Sequence, residues 1–199
     1  MTGGGGGTPP MRPPPPPLSN TAPMTDKDAV DLALLAFRVA VGAVMLAHGY
    51  NHIFRGGKIA GTARWFESLG MRPGVVHAWM ASITELAAGA SLILGLLTPL
   101  GGAGVVGVML VAWITNHRGN GFFIFRPGEG WEYVMTLTFA GLLLATIGAG
   151  GWSLDDALGL RDDLVGLPGL LIGVLAGGGG AALLLAAAWR PPVKAAAEA

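Results

Sequence analysis

The chain has 199 residues, of which 12% are charged and 52% belong to the set AVILMFWYC. The charged share is about half that of an average soluble domain. Lys+Arg and Asp+Glu both number 12, so the charge balance points to no nucleic-acid partner. With no cysteine, disulfides, thiolate nucleophiles, Fe–S clusters and Cys-ligated zinc are excluded.

Met1 to Asn20 is a glycine run followed by a proline run. It contains no apolar core of the kind a secretory signal needs, so none is expected there. Such a segment cannot bury enough apolar surface to offset its ordering entropy. Residues 1–26 are expected to form a disordered tail, extended where proline dominates.

Five apolar stretches follow. The first spans Ala29 to Tyr50, carries Arg38 near its middle and closes on His48, Asn51 and His52. The connection to the next carries Arg55, Lys58, Arg64 and Arg72, with Trp65, Phe66 and Leu69 spaced for one face of a short helix. That pattern predicts a helix lying in the lipid headgroups. The second stretch, Val76 to Leu97, opens beside His77 and carries Glu85 near its middle. Thr98-Pro99 breaks it from the third, Leu100 to Thr115, and Pro99 suits the first turn of a new helix.

Asn116 and His117 close the third stretch. A loop dense in glycine and aromatic residues runs from Gly119 to Tyr133, suited to an interfacial lid or an aromatic belt. The fourth stretch, Glu132 to Gly150, opens with Glu132 and Tyr133, and an acidic loop follows at residues 151–164. The fifth, over residues 165–189, contains Gly169, Gly173 and Gly177, a small-residue stripe that offers a helix–helix oligomer contact. Its four-glycine run, Gly177–Gly180, predicts a weak point or kink, and residues 190–199 form a short tail.

Crossing a bilayer as helix takes about 20 apolar residues. A soluble bundle would instead need a polar face, and Leu137–Gly150 and Leu164–Ala188 lack one. The expected fold is therefore an all-α membrane protein, multi-pass in the plasma membrane: a four-helix transmembrane bundle over residues 29–150 plus a fifth C-terminal transmembrane helix. The first and third loops and the tail hold Arg55, Lys58, Arg64, Arg72, Arg118, Arg126, Arg190 and Lys194. The opposite side holds Lys27 and the loop with Asp155, Asp156, Asp162 and Asp163 against Arg161. The basic side is expected to be cytoplasmic.

Two features carry candidate chemistry. Arg38 and Glu85 are charges deep in apolar helices, where each costs about 2.5 kcal/mol or more unless satisfied. Their similar depth predicts a buried ion pair, either fixing helix packing or serving proton transfer or ligand binding. Alternating topology also gathers all four histidines at one membrane face. His48, Asn51, His52, His77, Asn116, His117, Asn120, Glu132 and Tyr133 form a candidate quinone or ligand pocket. Histidine, asparagine and tyrosine supply donors for quinone carbonyls, and His and Glu can move protons. Plain interfacial histidines remain an alternative. Haem is less favoured, and His48-Gly-Tyr-Asn-His52 matches no zinc motif, so no metal ligand is assigned.

In order, Arg38, the run to His48-Gly49, Trp65-Phe-Glu-Ser-Leu-Gly70, Glu85, Leu96-Leu-Thr-Pro99, Asn120-Gly-Phe-Phe123 and Glu132-Tyr133 resemble the DoxX family. The likeness covers roughly residues 32–150. It implies a four-helix membrane module linked to redox and oxidative-stress complexes. Relatives include the small membrane subunit of a thiosulfate:quinone oxidoreductase, and members associated with superoxide dismutase and a thiosulfate sulfurtransferase. Arg38, His48, Glu85, Asn120 and Glu132 occupy the matching motif positions.

The expected function is an integral membrane subunit of a redox complex that binds a quinone and meets soluble or membrane redox partner proteins. A non-catalytic membrane scaffold is the alternative. A small transporter is disfavoured, because no internal repeat and no matched pair of interrupted helices is present. No catalytic residue is assigned.

Overall fold

The computed structural model describes residues 24–192. The Gly/Pro-rich run and Lys194 lie outside the described residues. Among those described, the fold is all-helical, with a lone antiparallel bridge between Met71 and Trp189 in place of any strand.

Helix α1 (Asp26–Phe54) begins earlier than the apolar run. Thr25 explains this, because its hydroxyl accepts from Asp28 N–H while the Asp28 carboxylate accepts from Thr25 N–H, a reciprocal cap. Its 29 residues reach about 43 Å, longer than the ~30 Å hydrocarbon layer. Short α2 (Lys58–Ser68) leads to α3 (Gly74–Leu94). Helix α4 (Thr98–His117) starts with Pro99 in its first turn and ends in a π-helical stretch, Trp113–His117. Helix α5 (Glu132–Ile147) stops where Gly148 takes φ 82°. Two single turns, α6 (Leu154–Ala157) and α7 (Arg161–Leu164), occupy the acidic loop. Helix α8 (Leu167–Ala188) completes the chain.

Three helices, α1, α4 and α8, are long and apolar enough to cross a membrane. Helix α5 is apolar but only 16 residues long, and α3 has the length but is more polar. In α8 the glycine run is absorbed by a π-helical stretch, Gly173–Gly179, rather than by a break.

Chain neighbours pack in order, α1 on α3, α3 on α4, α4 on α5, and α8 lies against α4 and α5. Met45, Leu92, Val105 and Leu144 are fully buried at the centre. Ile83, Phe139, Leu143, Leu175 and Leu183 point outward and are exposed, a surface that lipid rather than water covers. Close backbone approach sets the seams. A Cβ on Gly42 would lie 2.8 Å from Gly89 O, and one on Gly102 would lie 2.5 Å from Gly141 O.

The stripe expected to serve an oligomer is used inside the chain. Gly169, Gly173 and Gly177 are all buried, and a Cβ at Gly177 would lie 2.7 Å from Ala103 O. The small residues let α8 approach the backbones of α4 and α5. The apolar face expected to lie in the headgroups is divided in α2. Phe66 is buried and packs with Met71 and Ala78, Leu69 is half-buried, and Trp65 stays exposed at the rim of the cavity.

Basic and acidic loops end up at opposite ends of the bundle. One end gathers α2, the start of α3, the end of α4 and Trp189; the other gathers Lys27, the turn between α3 and α4, and the acidic loop. Ser68 and Asp163 are exposed at these two ends, and the chain has no cysteine to interfere. Ser68→Cys and Asp163→Cys should therefore label from opposite sides of the membrane, with only Asp163→Cys reached by an impermeant maleimide on intact cells. Equal labelling of both would reject this orientation.

Candidate functional site

A buried guanidinium organises the acidic end. Arg38 is wholly buried, donating from Nη1 to Leu92 O at 3.1 Å and from Nη2 to Trp152 O at 2.6 Å. Leu92 lies in the last turn of α3, so the charge meets the negative end of that helix. Asp155, 1% exposed, receives Leu97 N–H at 2.7 Å and Thr98 N–H at 3.0 Å, capping the start of α4. Asp31 accepts from Gly151 N–H at 2.7 Å. These bonds tie the α3–α4 turn and the 148–155 segment to α1.

Arg38 and Glu85 do not form the expected pair. Gly42 opposes Gly89 and Gly49 opposes Ser82, which sets the register of α1 against α3. In that register Glu85 lies level with Leu46, about two helical turns or ~12 Å along the bundle from Arg38. Similar distance from the middle of two apolar runs did not mean similar depth, because the register staggers the helices and sets the middle of α1 against the last turns of α3.

Glu85 faces the other end instead, into a cavity of about 490 Å³ enclosed by α1, α2, α3, α4, α5 and α8. All four histidines line it, together with Asn116, Tyr133 and Glu129. The remaining predicted residues stand apart. Asn51 is exposed on α1. Asn120 donates to Asn116 O and Gly128 O, bracing the 118–131 loop. The Glu132 carboxylate accepts from Ile124 N–H at 2.9 Å, fixing the same loop.

The four histidines are not equivalent. His117 Nδ1 lies 2.9 Å from Glu129 O, which can only accept, so Nδ1 carries the proton and Nε2 accepts from Asn116 Nδ2 at 3.2 Å. Both its nitrogens are committed. His77 Nε2 points at Arg72 O, 3.4 Å away. His48 Nε2 meets the Tyr133 hydroxyl at 3.3 Å, with the two rings stacked. His52 Nε2 lies 3.5 Å from Glu85 Oε2. That oxygen is buried and has no hydrogen-bond partner among the described residues.

The cavity therefore has a largely apolar wall and, besides His77 and the committed His117, a polar corner made by His48, His52, Glu85 and Tyr133. Sequence spacing identified the two histidines as sharing a helix face. It missed Glu85 as their neighbour, and the signal lay in the glycines that fix the α1–α3 register. Trp65 and Phe66 lie beside the His52 ring, with centroids 6.2 Å and 6.3 Å away. The far wall comes from α8, through Gly177, Gly180 and Ala181. Trp189 Nε1 donates to Leu69 O at 2.9 Å and Arg190 N–H to Gly70 O at 2.9 Å, so the end of α8 is fastened to the α2–α3 connection.

Residues 33–118, from within α1 to the end of α4, match the DoxX family model. The matched span contains Arg38, Glu85 and all four histidines, whereas Tyr133 and the α8 wall lie beyond it. No curated protein and no solved structure matches the chain.

The separation of the two buried charges has a measurable consequence. Arg38→Gln should lower unfolding stability in detergent by about 3 kcal/mol, because it leaves two buried carbonyls and Asp155 short of a cation. Glu85→Gln should cost little in chelator-treated protein, since its neighbour at 3.5 Å is an imidazole rather than a fixed cation. The effects should add to within about 0.5 kcal/mol in the double variant, as for sites more than 7–10 Å apart. Strong coupling in that cycle would contradict the register.

Proposed function

We propose that the protein carrying this DoxX-matching segment is a plasma-membrane subunit of a redox complex, and that its histidine-lined cavity binds the head group of a quinone. The carrying observation is the cavity itself, apolar along most of its wall, with His48 and Tyr133 side by side among its hydrogen-bonding groups. Its volume of about 490 Å³ falls within the usual range for small-molecule sites. A quinone has matching chemistry: two carbonyl oxygens that need donors and an apolar tail that needs a greasy channel. The Tyr133 hydroxyl, turned toward His48, supplies a donor to one carbonyl, and His48 supplies a relay for the proton. The small side chains of Gly104, Gly107, Ala176 and Gly180 leave room for the tail between α4 and α8. The family resemblance supports the redox setting, in which soluble partner proteins would deliver electrons.

Purified in mild detergent, the wild-type protein should carry extractable quinone. Tyr133→Phe should weaken quinone binding about five-fold, the worth of roughly one neutral hydrogen bond. His48→Ala should weaken it further. Glu132→Gln, whose side chain holds the loop outside the cavity, should bind as wild type does. Quinone binding that is absent, or unchanged in Tyr133→Phe and His48→Ala, would reject this reading and favour a scaffold role.

A further inference from the structure

The polar corner has the composition of a metal site. His48 and His52 are one helical turn apart on α1, so both imidazoles leave the same face. Glu85 enters from α3, and one ligand atom from each of the three residues lies within 4.8 Å of the other two. His52 Nε2 and Glu85 Oε2 are already 3.5 Å apart. Two ligands held at about 2.1 Å from one ion at a tetrahedral angle stand about 3.4 Å apart. Only modest side-chain rotation closes the set.

A second observation points the same way. The Glu85 side chain is 3% exposed, and its buried Oε2 has no hydrogen-bond partner among the described residues. A carboxylate in that position needs a cation or a donor. Arg38 is about 12 Å off in depth and directs Nη1 and Nη2 to carbonyls at the other end. The groups beside Glu85 are imidazoles, and a neutral imidazole nitrogen is itself a metal ligand.

We infer that His48, His52 and Glu85 bind one borderline divalent transition ion, of the Zn²⁺ or Fe²⁺ class, at the polar corner of the cavity. Two imidazoles and a carboxylate are a donor set common to both ions. All three arrive from the α1–α3 side, so the remaining coordination positions face the cavity, where an oxygen donor of a bound molecule can enter. The ion neutralises Glu85 and supplies the buried carboxylate with the partner the protein does not. The inference stands on these three side chains and not on the quinone reading.

The test uses full-length, tag-free protein, stripped of metal by chelator and freed of quinone in detergent, so that its outcome is separate from quinone binding. Titrated with Co²⁺ as a spectroscopic probe, wild type should bind one equivalent saturably, gain visible ligand-field absorption and melt at a higher temperature. Glu85→Gln and His52→Gln should bind more than about ten-fold more weakly, since even an outer-shell partner of a metal ligand contributes that much. Their melting temperatures should no longer respond to Co²⁺. X-ray absorption on Co²⁺-loaded wild type, which needs no variant, should reveal two imidazole ligands. Absence of saturable binding, fewer than two imidazoles, or unchanged affinity in folded Glu85→Gln would each overturn the site.

Discussion

A guanidinium is costly in a layer that excludes water, and Arg38 meets that cost by directing both terminal nitrogens to backbone rather than to a counter-ion on the facing helix. Its two carbonyl partners belong to the end of α3 and to the segment after α5, so a single side chain joins three parts of the chain. Asp155 completes the arrangement by capping α4 from the acidic loop. The α3–α4 turn is short because its polar groups are supplied from elsewhere. With Arg38 committed at that end, the second buried charge of the helix pair is released to the other.

The two ends of the bundle are consequently different in kind. At the acidic end, Arg38, Asp31 and Asp155 bond to backbone, leaving Arg38 Nε and Thr98 Oγ1 without a partner among the described residues. At the histidine end, only His117 has both its nitrogens occupied. Glu85 Oε2 and His77 Nδ1 have no hydrogen-bond partner among the described residues, although His52 lies 3.5 Å from the carboxylate. Glu85 and His77 line the cavity, where a bound molecule can reach them, which is why the cavity rather than the network is the candidate for function.

Much of the architecture was legible in the sequence. Apolar runs without a polar face announced membrane helices, and Thr98-Pro99 announced a tight turn between two of them. The gathering of His48, His52, His77 and His117 at one end followed from alternation alone. What could not be read was depth and rotation. Arg38 and Glu85 sat near the middles of their apolar runs, but α1 and α3 are staggered, so those middles are not level. Register depended on Gly42 meeting Gly89, a contact between residues 47 positions apart that carries no local signal. The same limit hid the division of the α2 face, with Phe66 buried and Trp65 exposed. Amphipathic spacing tells which residues of a short helix share a face, but not whether that face meets lipid or protein.

The seam between α4 and α8 is made of backbone. A Cβ at Gly107 would lie 3.4 Å from Gly177 O, and a Cβ at Gly177 would lie 2.7 Å from Ala103 O. The tightness is one-sided: α8 cannot gain even a methyl group at Gly177 without moving α4, whereas Gly107 opposite has room for one at ordinary contact distance. In related chains that keep this helix seated on α4, position 177 is therefore expected to stay glycine while position 107 can vary between glycine and alanine. The residue at 177, on the added helix itself, is the one whose size records whether that helix still packs against the rest.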